Sequence, residues 1–218
     1  VAFRFGRDQS LPESYAAAWR WAWNELKPAV MPHDIAQARR SLVDALAANV
    51  MQVEDRAGIP NAVTCLPGKP ENPDPKTVMG FTGKALESAE FLLAEARLDN
   101  TERGARLRAL GEKIIATYLR LKIAPPEGEG FYLKSGKTTT ARGHLQQHPE
   151  VYLRSFGDDL KALLRAYDRE KRAGRDHPEW LAWARQFGDW LLTQQQSQGG
   201  FPRAWLPPTG QVFSDSPN

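Results

Sequence analysis

Apolar residues recur at helical spacing in six stretches of this chain, and connections of two very different lengths separate them. In the first stretch Leu11-Pro12-Glu13-Ser14 reads as a helix start, with proline in the first turn, where its missing N–H costs little. Tyr15, Trp19, Trp23 and Leu26 follow on one stripe, and Lys27-Pro28 ends the run. Pro32-His33-Asp34 opens a second helix carrying Ile35, Ala38, Leu42, Ala45, Leu46 and Val50. A third is expected to run unbroken through GFTGKALESAEFLLAEAR, with Phe81, Leu86, Ala89 and Leu93 inward. Thr101 offers an N-cap for the fourth, which places Leu107, Leu110, Ile114, Tyr118 and Leu121 on one side. The fifth is expected over EVYLRSFGDDLKALLRAYDREK, and Pro178 opens the sixth, with Trp180, Trp183, Phe187, Trp190 and Leu191 as core. Gly199-Gly200 break that helix, and Phe201 to Trp205 then alternates aromatic and polar residues as a short extended piece.

The connections group the helices into pairs. Within a pair they are short, about 27–32, 97–101 and 172–177; between pairs they are long, 52–78, 122–149 and 197–218. Short connections join neighbours, and long ones in a compact domain are usually functional. The first long stretch is too rich in proline for a regular element. Short sequence echoes support a repeat. Gly83-Lys84-Ala85-Leu86 matches Gly157-Asp158-Asp159-Leu160, and Gly111-Glu112-Lys113-Ile114-Ile115 matches Gly188-Asp189-Trp190-Leu191-Leu192. The hairpins are then about 11–51, 79–121 and 150–196, with all three long loops on one face. A helix pair cannot bury its apolar face alone, so such pairs stack into a ring or a solenoid.

On these residues the chain resembles half of an (α/α)6 toroid of the six-hairpin glycosidase type. MGFTGKALESAEFLL is similar to the opening of an inner helix in uncharacterised bacterial members, and WLLTQQQSQGGFPRAW resembles an outer-helix exit followed by a strand. The resemblance implies an all-α fold with three of six hairpins present, residues 1–218 being an incomplete toroid domain whose chain continues. It implies a carbohydrate-active enzyme, a glycoside hydrolase working on a polysaccharide or oligosaccharide through a carboxyl pair. A polysaccharide lyase or sugar epimerase on the same fold is the alternative, and a non-catalytic helical-repeat scaffold is a second. The same stretch resembles more loosely the Q…G-x-W repeat of terpenoid cyclases. That motif occurs once here, Phe201 stands at its tryptophan position, and no Asp-rich motif accompanies it.

Composition narrows the partners. Net charge is +3 with the two signs interspersed, too weak a bias for nucleic acid or an anionic membrane. No run of about 18 apolar residues predicts a membrane span. The lone Cys65 can form no disulfide within the chain and reads as a small packed residue, so no compartment is assigned. The chain begins at Val1 in mid-stride, as a processed or truncated N-terminus would. His33, His144, His148 and His177 are dispersed and no metal or other cofactor is expected. Lys134-Ser135-Gly136-Lys137-Thr138 evokes a P-loop, but the upstream glycine spacing is wrong and no helix follows.

Glycoside cleavage needs an acid and a base or nucleophile. Asp158 and Asp159 lie in the first turns of the fifth helix, and adjacent helical residues point about 100° apart, so only one can face a site. Asp158, in register with Lys84, is the first catalytic candidate, against the plainer role of a helix N-terminal carboxylate. Asp215 is the second, against an N-cap in Ser-Asp-Ser-Pro. Arg154, one turn before Asp158, could pair with it or hold a sugar carboxylate bidentately. Phe201, Arg203 and Trp205 form a candidate wall for a flat polar ligand, and Tyr132 in GEGFYLKSGK and Lys84 are further candidate substrate contacts. Glu129 and Glu150 flank the second long loop, Glu150 as a helix start.

Overall fold

The computed structural model describes residues 11–27, 34–61, 74–140 and 149–213. The chain divides into two compact units, Val1–Arg39 and Arg40–Asn218. In the first, α1 (Leu11–Leu26) forms as its spacing predicts. Its stripe is nevertheless exposed, with Tyr15, Trp19, Trp23 and Leu26 each more than half accessible. α2 (Ile35–Ala48) starts at Asp34, whose Oδ1 accepts the Gln37 N–H at 3.0 Å. The helix continues into the second unit, where Val43 and Ala47 are buried.

The second unit is built on α4 (Ala85–Ala96), α5 (Glu102–Tyr118), α6 (Leu153–Arg172) and α7 (Pro178–Thr193). α4 packs on both α5 and α6, and α6 also packs on α7. The core holds Leu86, Leu92 and Leu93 of α4, Leu107, Ile114 and Ile115 of α5, and Phe156 and Leu163 of α6. Trp180, Trp183 and Phe187 of α7 complete it, as their spacing predicts. Phe187 stacks on Phe156 with centroids 4.6 Å apart, and Trp183 donates its indole N–H to the Leu121 carbonyl at 2.9 Å.

The expected all-α toroid is not what forms. Among the described residues, six long helices and the four-residue α3 (Gly80–Gly83) are joined by three small antiparallel sheets, which makes the class mixed α/β. β1 (Met51–Val53) and β2 (Arg56–Gly58) make a hairpin, with Glu54 at φ 53° in its turn. β3 (Lys76–Val78), β4 (Gly130–Tyr132) and β5 (Thr138–Thr139) make the second sheet. β6 (Val151–Tyr152), β7 (Ala204–Leu206) and β8 (Gln211–Val212) make the third. All three long connections therefore contain strands. Each strand is two or three residues long, and two of the five pairings join segments far apart in the chain, Lys76 opposite Tyr132 and Val151 opposite Trp205. So short a strand has no periodicity of its own, and its pairing is set by the helices that bring the segments together.

Two helix readings also change. Residues 80–97 do not form one helix: Lys84 turns into the left-handed region at φ 52° and separates α3 from α4. α6 starts at Leu153 and not at Glu150, because Val151 and Tyr152 are held in the third sheet.

Candidate functional site

α4 and α6 leave an open groove of about 370 Å³ between them, lined from α4 by Glu87, Glu90 and Phe91 and from α6 by Asp158, Lys161 and Arg165. Glu90 and Phe91 lie three and four residues after Glu87, and Lys161 and Arg165 follow Asp158 at steps of three and four, the spacing that puts side chains on one face. The groove is within the size range of small-ligand sites. Its chemistry is charged, with one half-exposed phenyl ring, Phe91.

Ion pairs organise it. Lys84 Nζ lies 2.6 Å from Glu87 Oε2, and Arg154 Nε lies 3.5 Å from Asp158 Oδ2. Arg169 bonds to Glu90. The hydrogen bond to Glu87 raises the Lys84 ammonium above its ordinary value, and the charges of Glu87, Asp158 and Asp159 add to this. Lys84 therefore sits in the field of carboxylates from both helices. Its left-handed backbone is what lets the chain stop α3 and restart α4 at that spot. The Lys84–Glu87 and Arg154–Asp158 pairs are accessible to water, so each holds its carboxylate weakly and can yield to a ligand, while Glu90 is mostly covered.

Asp159 goes the other way. It is fully buried, and its two oxygens accept the backbone N–H groups of Gly80 and Leu86. Burial pushes its carboxyl up to about 7, while the N–H groups of Gly80 and Leu86 pull it back. Asp159 thus anchors the α3–α4 break to α6, and its neighbour Asp158 is left facing the groove. The approach is tight: a Cβ on Gly80 would lie 2.6 Å from Ser155 Oγ, and Gly80 itself is at φ +84°.

A second, buried cluster ties the sheets together. Glu129 is fully buried; its N–H donates to the Thr139 carbonyl, and its own carbonyl accepts the Met79 N–H, both at 2.8 Å. Its Oε1 accepts the Tyr152 N–H at 2.7 Å, which links the second sheet to the third. The Tyr152 hydroxyl donates to Glu150, itself only 2 % exposed, and the Arg203 guanidinium lies 5.8 Å from the Tyr152 ring centroid. Lys76 Nζ donates to the Thr140 carbonyl at 3.3 Å; burial lowers its ammonium, and the Glu129 charge opposes that.

The residues predicted from sequence fall into separate places. Asp158, Lys84 and Arg154 come together at the groove. Arg203 is exposed and joins Tyr152, while Phe201 is half-buried. Trp205 is fully buried, packs edge-on against Trp190 at 5.0 Å and presents no face to a ligand. Its place in β7, opposite Val151 and Val212, makes it core. Tyr132 pairs with Lys76 in the second sheet, away from the groove lining. Asp215 lies outside the described residues, as do Cys65, His33, His144 and His148. Glu87, Glu90, Lys161 and Arg165 were not singled out from sequence. Their signal was there in the charged positions of the third and fifth helices, which repeat at helical spacing and share a face with Asp158.

At the far end of α6, ligand atoms of Glu112, Glu170 and His177 lie within 4.8 Å of one another. Arg108 and Arg175 already bind the fully buried Glu170. Burial favours its protonated form, but the bonds and charges of those two arginines outweigh that and hold its carboxyl below the ordinary value. Two guanidiniums beside the cluster make it an ion-pair network and a poor cation site. No helix of the described residues is long and apolar enough to cross a membrane. No family model matches the chain, and no curated protein matches it.

Proposed function

We propose that this protein is a carbohydrate-active enzyme, a glycoside hydrolase that binds an oligosaccharide or polysaccharide segment in the groove between α4 and α6. The observation that carries this reading is the meeting of Asp158 with Glu87 and Glu90, carboxyls from two packed helices, around one open groove. Glycosidic hydrolysis by a carboxyl pair needs one group to protonate the leaving oxygen and another to activate water or attack the anomeric carbon. In this reading Asp158 is one member, and Glu87 or Glu90 is the other. The ion pairs with Arg154, Lys84 and Arg169 hold the three carboxyls at the groove, and the one that lies against the leaving oxygen of a bound sugar acts as the acid. Phe91 supplies an apolar surface for a sugar face.

The test is a reducing-end assay of the purified chain against a panel of neutral and acidic glycans. New reducing ends that depend on Asp158 support the reading; their absence across the panel contradicts it. One observation favours a second reading. The hydrogen bond from Tyr152 to Glu150, under the Arg203 guanidinium, is a constellation that a lyase or epimerase could use for proton transfer at a sugar carbon. Products with a new carbon–carbon double bond, read as ultraviolet absorbance, would assign cleavage to that chemistry.

A further inference from the structure

Five cations surround the α4–α6 groove, and they differ in one respect. Lys84, Arg154 and Arg169 are each in contact with a carboxylate of the groove, namely Glu87, Asp158 and Glu90. Lys161 and Arg165 line the same groove and have no ion-pair or hydrogen-bond partner for their side chains among the described residues. They stand one helical turn apart on α6, on the face that carries Asp158, and both are exposed. Lys161 and Arg165 are therefore the two cations of the groove lining, and no carboxylate of the described residues is in contact with either.

A neutral sugar does not call for two cations left without a carboxylate. Hydroxyl groups are served by carboxylates and by cations already paired with them. An anionic substituent on the sugar is different. It needs donors whose charge no protein group has neutralised, and it would be repelled by Glu87, Glu90 and Asp158 unless such donors stood beside them. Lysine and arginine side chains one turn apart can converge on a single carboxylate, the arginine with two parallel N–H bonds.

We propose that the groove is specific for an acidic glycan, with Lys161 and Arg165 binding the carboxylate of a uronic-acid unit while Asp158 faces the adjoining glycosidic bond. This rests on the hydrolase reading above for the role of Asp158, but it concerns recognition and can be measured without turnover. A charge-assisted contact of this kind changes affinity by about tenfold or more.

The experiment is calorimetric titration of the full chain with a uronic-acid oligosaccharide, with its carboxyl-reduced counterpart and with a sulfated neutral oligosaccharide of the same length. The uronate should bind about tenfold tighter than the reduced form, and the difference should collapse in Lys161→Ala and Arg165→Ala. It should survive in Lys161→Arg. Because both residues are exposed, the variants are expected to melt at the wild-type temperature. Equal binding of charged and reduced ligands, or an undiminished preference in both alanine variants, would overturn the specificity while leaving a neutral-glycan hydrolase standing. Tighter binding of the sulfated ligand would transfer the anion to a sulfate ester and overturn the carboxylate assignment. Binding of none of the three ligands would overturn both the specificity and the hydrolase reading.

Discussion

Asp159 has two backbone N–H groups aimed at its oxygens in a place closed to water. Replacing it with asparagine turns one acceptor into a donor that faces another donor. Asp159→Asn should lower stability by about 1–3 kcal/mol in a urea titration. Its titration has a definite sign. Unfolded, the carboxyl releases its proton near 3.8; folded, it holds it to about 7. The stability it contributes is full below about pH 4 and is lost as pH rises through about 7. The wild-type urea midpoint should therefore fall between about pH 5 and about pH 7.5 relative to that of Asp159→Asn, whose amide does not titrate; parallel profiles would contradict this. Trp205 gives a prediction of another kind. As core it should cost about 3–5 kcal/mol when cut to alanine, and Arg203→Ala, on an exposed side chain, should leave the melting temperature unchanged. At this scale the sequence showed that Asp158 and Asp159 must point apart, and helix geometry was enough for that. It could not show which of them faces solvent, because that depends on where Gly80 and Leu86 arrive from α3 and α4.

The helices were legible and the strands were not. Apolar periodicity and the Thr101 cap located α5, and the Thr101 side chain does accept the Arg103 N–H, at 3.3 Å. The break at Lys84 follows directly on Gly83, a poor helix former that the apolar periodicity passed over, and a tertiary partner, Asp159, holds it. The glycine echoes noted in the sequence also separate once placed. Gly111 lies on the α4-facing side of α5, where a Cβ would meet Leu93 Cγ at 2.9 Å and the Ala89 carbonyl at 3.0 Å. Gly188 on α7 has nothing within 4 Å. Gly188→Ala should thus raise stability by about 0.5–1 kcal/mol through helix propensity alone. Gly111→Ala should lower it, because the α4 backbone cannot step back without opening the core. Urea midpoints that move in the same direction would mean that the two positions are equivalent after all.

Across the second unit, the long connections and the helices divide the work. Glu129, Tyr152 and the short sheets lock the ends of the helices, and α4 and α6 between them carry an open, charged groove. The sequence led to one residue on each side of that groove, Lys84 and Asp158, through their shared register. Glu87, Glu90, Lys161 and Arg165 became visible only when the two helices were set side by side. The proposed activity stands on Asp158, so the most direct measurement is a comparison of wild type and Asp158→Asn in the reducing-end assay, on the glycan the wild type cleaves best, with thermal melts alongside. The substitution should reduce turnover by about a hundredfold or more with an unchanged melting temperature. Wild-type turnover in Asp158→Asn would contradict a catalytic role for Asp158.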